Sequence, residues 1–217
     1  MSRLKERKAM VAEQIAGRGV RDPRVLAAMA SVPRELFVPR EQSADAYLDQ
    51  PLPIGEGQTI SQPYVVGLML EALCLEGGER MLEVGAGSGY ATAVASQIAG
   101  QVYAIERIEG LAHFARKNLQ RAGCANVELH CADGSLGWPQ AAPFDAILVS
   151  AGGPAVPETL KAQLAVGGRL VMPAGRERRA QRLLRVTRRD AQHFELEDLG
   201  GVFFVPLIGE GGWQEED

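Results

Sequence analysis

Met81-Leu82-Glu83-Val84-Gly85-Ala86-Gly87-Ser88-Gly89-Tyr90 is the stretch around which the chain is organised. Arg80 to Val84 is mostly apolar, as a strand covered on both faces would be. Glycine then occupies every second position, 85, 87 and 89. Glycine tolerates positive φ and lets a ligand approach the backbone. A helix beginning at Ala91 would add free N–H groups and a positive dipole end. Strand, glycine loop and helix together form the unit with which open α/β sheets bind nucleotide-like ligands.

The spacing is G-x-G-x-G, whereas the dinucleotide fingerprint is G-x-G-x-x-G. Glu83 also stands two residues before the first glycine. A carboxylate there repels a pyrophosphate and suits a cation. S-adenosylmethionine carries a sulfonium and an ammonium and no phosphate, so the loop favours it over a dinucleotide. A tight strand-to-helix turn without a ligand stays open from these ten residues alone.

Outward from this loop the pattern alternates. Strands are predicted at 101–106, 127–132, 144–150 and 169–172, with helices at 91–99, 109–122 and 157–164 between them. Such alternation implies a doubly wound, mostly parallel sheet of the Rossmann-like kind. Short strands at 183–187, 194–196 and 202–205 predict a β-rich end with an antiparallel member. Before the loop, helices are expected over Ser2–Ala16, with Leu4, Val11 and Ile15 inward, and after Asp22-Pro23. Residues 47–61 show little periodicity and several helix breakers, which marks a functional segment. A helix follows over 62–73. The division expected is one domain over 1–217: a helical cap and lid (1–62), a Rossmann-like core (63–175) and a β-rich segment (176–217).

Three acids fall at successive strand ends: Glu83, Glu106 and Asp133. Glu106 lies 21 residues after Gly85, where an acid can take both ribose hydroxyls. Asp133 could accept from the adenine amine or, with Gly134, shape its slot. Any one of these acids alone reads as a cap or a loop charge. Together, beside the glycine loop, they point to a nucleoside site.

The 217 residues are 46% hydrophobic and 23% charged, ordinary for a globular chain with a sizeable core. No apolar run reaches the ~18 residues of a membrane span, and the charged N-terminus is not followed by an export-type apolar run. Cys74, Cys124 and Cys131 lack zinc spacing and read as reduced thiols of a cytoplasmic protein. His113, His130 and His193 are isolated, so no metal site is assigned. The net charge of −4 disfavours a nucleic-acid partner. Seven arginines fall between 176 and 189. They read better as a solvated turn and strand face that blunts a sheet edge than as a phosphate patch.

The chain resembles the protein-L-isoaspartate O-methyltransferases over about Val32 to Leu207. The resemblance is carried by Val32-Pro33-Arg34-Glu35-Leu36-Phe37-Val38-Pro39, Pro51-Leu52-Pro53-Ile54-Gly55, Gln58-Thr59-Ile60-Ser61-Gln62-Pro63-Tyr64, the glycine loop, Ala104-Ile105-Glu106-Arg107, Asp133-Gly134 and Phe204-Val205-Pro206-Leu207. Ala86 and Ser150-Ala151-Gly152-Gly153 depart from it, small residue for small. The resemblance implies methyl transfer from S-adenosylmethionine to the free α-carboxylate of L-isoaspartyl residues in damaged proteins and peptides, the first step of their repair through a succinimide. It implies Ser61 as the active-site residue, also in contact with the cofactor, and Gln58, Thr59 and Ile60 as the lid over cofactor and substrate. It carries Glu83, Gly85, Gly87, Ser88, Glu106, Arg107, Asp133 and Gly134 onto the cofactor site, and Val205, Pro206 and Leu207 onto a peptide groove with strand-like contacts. From chemistry alone, Ser61 serves equally well as N-cap of a helix beginning at Gln62.

A monomer without membrane association is expected. An RNA or small-molecule methylase is disfavoured by the acidic charge and by Ser150-Ala151-Gly152-Gly153-Pro154 in place of an Asn/Asp-Pro-Pro-aromatic box. A non-enzymatic binding module is disfavoured by the intact Ser61 stretch, and an NAD-dependent oxidoreductase by the loop spacing.

Overall fold

A computed structural model describes residues 3–215; the expected helix start at Ser2 lies outside them. The chain begins with α1 (Arg3–Ala9), which runs on through a π-helical turn (Met10–Ile15) and a 3-10 turn (Ala16–Arg18). The π turn inserts residues into the helical period. Met10 and Ile15 are therefore the buried positions, while Val11 is only partly covered and Leu4 is half exposed. A straight helix would have turned Leu4 and Val11 inward.

Helix α2 (Pro23–Ser31) starts where the Asp22-Pro23 pair predicts, with the Asp22 side chain accepting from Arg24 N at 2.8 Å. Two 3-10 turns, Arg34–Phe37 and Arg40–Asp45, lead to a hairpin of β1 (Leu52–Gly55) and β2 (Gln58–Ile60). Residues 47–61 are thus not structureless. Glu56 and Gly57 both have positive φ, 51° and 67°, which gives the two consecutive left-handed residues of a tight hairpin turn. Leu52, Ile54 and Ile60 all point inward, the alternation of a strand with one buried face. Helix α3 (Pro63–Leu73) then leads into the sheet.

The remaining elements are β3 (Arg80–Val84), α4 (Tyr90–Ser96), β4 (Gln101–Glu106), α5 (Glu109–Arg121), β5 (Val127–Cys131), β6 (Phe144–Val149), α6 (Glu158–Ala162), β7 (Leu164–Glu177), β8 (Ala180–Arg188) and β9 (Phe194–Val202). The sheet order is β5-β4-β3-β6-β7-β8-β9. The first five strands are parallel, and β8 and β9 are antiparallel. Ala146 and Leu148 of β6 belong to one buried cluster and Ile147 and Val149 to the other. That is the period-2 mark of a strand covered on both faces.

The β-rich end differs from the expected short strands. Residues 194–202 form one strand, and Phe203–Val205 lie beyond it. β7 begins five residues before the expected Arg169 and runs to Glu177. The arginine-rich stretch pairs across strands: Arg182 with Asp198, Arg185 with Glu197 and Arg189 with Glu195. The sheet edge it protects is β9, to which those acids belong, and not β8 itself.

Candidate active site

The chain leaves β3 toward β4 and β5 on one side, then returns through β6 on the other. The connections after β3 and β6 therefore part at the carboxyl ends of these two strands, opening the crevice in which such sheets bind ligands. Ser150 N donates to Val84 O at 2.8 Å across the crevice floor.

The glycine loop is built to face an electropositive ligand. Gly85 N and Ala86 N both donate to Ile105 O, at 2.8 and 3.0 Å, and Gly89 N donates to Ala86 O. Gly87 N donates to Glu106 Oε2 at 2.8 Å. Four loop amides are thus satisfied internally, whereas a pyrophosphate site holds its amides out to the anion. Gly85, Gly87 and Gly89 adopt φ of 83°, 55° and 87°, the left-handed values this turn demands. The helix it opens is only seven residues long, so its dipole adds less than the sequence suggests.

Glu83 is 1% exposed and has no cationic partner among the described residues. Its Oε1 accepts from Ser150 Oγ at 2.8 Å, and its Oε2 accepts from Thr92 Oγ1. Burial pushes its carboxyl up to about 7, against the lowering effect of the two hydroxyls, with the nearby Glu106 adding to the rise. Glu83 shares a hollow with Ser61, Gly85, Gly87, Ser88 and Ser150. A buried carboxylate that lacks a cation is the complement of a sulfonium or ammonium group.

Next to it, a second hollow is lined by Gln58, Thr59, Gly85, Gly87, Glu106, Arg107 and Gly134. Glu106 uses Oε1 for Ile108 N at 2.9 Å and Oε2 for Gly87 N, and each oxygen keeps a lone pair for a ribose hydroxyl. Gly134 packs so closely that a Cβ would sit 2.6 Å from Val84 Cγ1. With β2 lying over it this hollow encloses about 80 Å³, well below the ~300 Å³ of an ordinary ligand pocket.

Asp133 does not face this hollow, contrary to the sequence expectation. Its carboxylate accepts from Ser135 N (2.9 Å), Ser135 Oγ (2.7 Å) and Glu210 N (2.9 Å). Burial alone would raise its pKa, but these donors, with Arg107 nearby, hold it below the usual carboxylate value. Asp133 fastens the turn at Gly209–Gly212, and only Gly134 borders the ligand space. The Val205-Pro206-Leu207 segment also differs from expectation. Gly152 N donates to Val205 O and Leu207 N donates to Gly152 O, both at 2.8 Å, so one edge of the segment is paired with Gly152. Val205 nonetheless lines both the second hollow and the large cleft beyond.

That cleft, about 650 Å³, opens on the other side of Ser61. Thr59, Ser61 and Ser150 border both the cleft and the Glu83 hollow, so the two spaces meet at these three residues. Ser61 is not a helix cap: α3 begins at Pro63 with Gln62 as N-cap and no side-chain cap bond. Its backbone is pinned by Arg34, whose Nη2 donates to Ser61 O at 2.8 Å and whose Nε donates to Ala46 O at 2.9 Å. Asp49 fixes the next residues, accepting from Gln62 Nε2 at 2.8 Å and Tyr64 N at 3.1 Å.

Arg34, Asp49 and Ser150 were not among the expected site residues. Arg34 carried a signal, being a lone arginine in the apolar turn between Pro33 and Pro39. Ser150 carried a weaker one, as the first residue after a buried strand.

The sequence profile of the family "Protein-L-isoaspartate(D-aspartate) O-methyltransferase (PCMT)" matches residues 5–212. The chain belongs to this family. Protein-L-isoaspartate O-methyltransferase 1 of Rhodopseudomonas palustris is 60% identical over 208 residues, 96% of this chain and 85% of that protein. Protein-L-isoaspartate O-methyltransferase 2 of Marinobacter nauticus is 59% identical over 207 residues, 95% and 94%. Among solved structures, one named protein-L-isoaspartate O-methyltransferase superposes with a TM-score of 0.86 at 30% identity, covering 94% of this chain and 67% of that one. A Plasmodium falciparum protein assigned to the same activity, solved with S-adenosyl-L-homocysteine, gives 0.81 at 28% identity, covering 93% and 98%. As a member of the isoaspartate methyltransferase family, the chain is an S-adenosylmethionine-dependent enzyme with a Rossmann-like fold. No helix among its described residues is long and apolar enough to cross a membrane.

Proposed function

We propose that this chain transfers a methyl group from S-adenosylmethionine to the α-carboxylate of L-isoaspartyl residues in damaged proteins and peptides, with Ser61 holding that carboxylate. The ester so formed closes spontaneously to a succinimide, which reopens in part to normal aspartate. The observation that carries this reading is the meeting of the two spaces at Thr59, Ser61 and Ser150. One space holds a buried acid with no cationic partner among the described residues, and the other is large enough for a peptide.

S-adenosylmethionine, when bound, supplies a methyl group on a sulfonium, an electrophile that needs no further activation. The accepting carboxylate, with a pKa near ~3.5, is already ionised at neutral pH and needs no general base. What the chain contributes is placement, which in favourable cases is worth ~7–11 kcal/mol. Ser61 donates its hydroxyl proton to the substrate carboxylate as a hydrogen bond and does not attack. Arg34 keeps the Ser61 backbone in register. Glu83 and Glu106 hold cationic and hydroxyl groups of the cofactor, with Gly85, Gly87, Ser88, Arg107 and Gly134 shaping the walls. Gln58, Thr59 and Ile60 cover the bound cofactor and exclude water. The same reading takes the enzyme to be a cytoplasmic monomer that acts on polypeptides and not on nucleic acid, supported by the net charge of −4.

The test uses radiolabelled S-adenosylmethionine and paired peptides that differ only in an Asp or isoAsp linkage. Labelling confined to the isoAsp peptide is expected. Equal labelling of both, or none of either, would sink the reading.

A further inference from the structure

The large cleft has a charge pattern that placing the isoaspartyl carboxylate does not need. Among the described residues no Asp or Glu lines it, and the cations lining it are Arg18 and Arg179. Arg18 is compensated, since it pairs with Asp49 and stacks over the Tyr64 ring at 3.6 Å. Arg179 is exposed and has no ion pair or hydrogen bond among the described residues. It stands in the turn between β7 and β8, apart from the arginines that pair with β9.

The position of that turn is set by a buried side chain. Gln181, 3% exposed, donates from Nε2 to Arg178 O at 2.8 Å and to Phe204 O at 3.0 Å, and its Oε1 accepts from Phe204 N at 2.8 Å. The turn carrying Arg179 and the segment carrying Phe203 are thereby clamped into one wall. Phe203 is 72% exposed, the most exposed large apolar side chain among the described residues. Phe203 does not stand alone: Val65, Leu68 and Leu199 line the same cleft and continue its apolar surface.

Resting on the methyl transfer proposed above, we infer that Arg179 and Phe203 select the peptide around the damaged residue. Arg179 binds a second carboxylate, the side chain of an aspartate or glutamate near the isoaspartyl residue in sequence, and Phe203 receives an apolar side chain of the same segment. The occupant is an extended acidic and apolar stretch of substrate. A lysine in place of the flanking acid is disfavoured because the described lining of the cleft offers it two cations and no carboxylate.

The experiment measures KM and kcat for isoaspartyl peptides in which one glutamate or one lysine is moved a position at a time along both flanks. Wild-type protein is compared with Arg179→Glu, with Phe203→Ser, and with Arg176→Glu as an exposed arginine outside the cleft. At one or more positions the glutamate peptide should show a KM about two- to fivefold below that of the lysine peptide, with kcat unchanged, as for an exposed ion pair. Arg179→Glu should reverse that order, Arg176→Glu should leave it, and Phe203→Ser should raise KM for apolar-flanked peptides only. Equal KM values at every position, or an order that survives Arg179→Glu, overturns the assignment of Arg179. A Phe203→Ser variant with unchanged KM overturns that of Phe203. Absence of labelling on every isoaspartyl peptide instead overturns the methyl transfer on which both rest.

Discussion

The guanidinium of Arg34, wholly buried, donates to the main-chain carbonyl of Ser61 at 2.8 Å. Its Nε does the same for Ala46 at 2.9 Å, and its Cζ lies 4.7 Å from the centroid of the Tyr90 ring. One side chain therefore ties the turn before the hairpin, the residue entering α3 and the first residue of α4. The price is a desolvated cation, and burial brings the Arg34 pKa down to about 10, so it stays charged at neutral pH.

Arg34→Met removes both donors and leaves two carbonyls bare. Stability should fall by about 2–4 kcal/mol, which for a chain of this size is about 4–16 °C in Tm. Turnover should fall as well, because Ser61 loses its register. Thermal melts with steady-state assays check this, and an unchanged kcat in the folded fraction would show that Arg34 serves the fold alone.

Ser61→Ala removes one hydrogen bond to a charged group, worth about 1.5–3 kcal/mol. A loss in kcat on the order of 10–100-fold is expected, with the cofactor Kd within about twofold. Since Ser61 does not cap α3, Tm should hardly move. Loss of cofactor binding on calorimetry would be incompatible with a positioning role.

Glu106→Ala and Asp133→Ala should separate two strand-end acids that look alike in sequence. Glu106 borders the ligand hollow and also accepts from Gly87 and Ile108. Its loss should weaken S-adenosylmethionine binding about tenfold or more, as expected for hydrogen bonds to a charged acceptor. Among the described residues Asp133 accepts only from Ser135 and Glu210. Its loss should free the Gly209–Gly212 turn, seen as faster amide exchange there, with a much smaller change in Kd. Equal changes in Kd would place Asp133 back at the cofactor.

Glu83 links cofactor binding to pH. In the empty site its carboxyl titrates near 7, and a bound cation favours the ionised form, so binding below that pH releases a proton. Affinity for S-adenosylmethionine should fall as pH drops from 8 to 6, approaching tenfold per unit below about 7. The folded pKa lies above the ordinary carboxylate value of about 4.3. Glu83 therefore contributes most to stability of the empty protein at low pH, and that contribution is lost as pH rises through 7. Glu83→Gln should flatten both profiles. Titration calorimetry in two buffers of different ionisation heat would detect the proton, and its absence would count against a cation at Glu83.

The class of fold and the class of ligand were legible in residues close together in the chain. Alternating apolar runs from 80 to 172 reflect strands covered on both faces, a requirement each strand meets within its own few residues. The early third glycine and Glu83 disfavoured a pyrophosphate for a similarly local reason. The turn geometry and the charge stand within ten residues of each other.

What the tertiary structure decided depends on residues far apart. Asp133 and Glu106 end neighbouring strands, yet only one meets the ligand space, because Glu210, 77 residues on, occupies the other. Val205 to Leu207 gave one strand edge to Gly152, and Ser61 lost its cap role because α3 opens at Pro63. The π turn in the first helix exchanged Val11 for Met10 as the buried residue. A local stretch sets the conformations and charges a residue can offer. Which of those offers is taken up depends on the partner that packing brings to it, and for Arg34 and Ser61 that partner comes from 27 residues away.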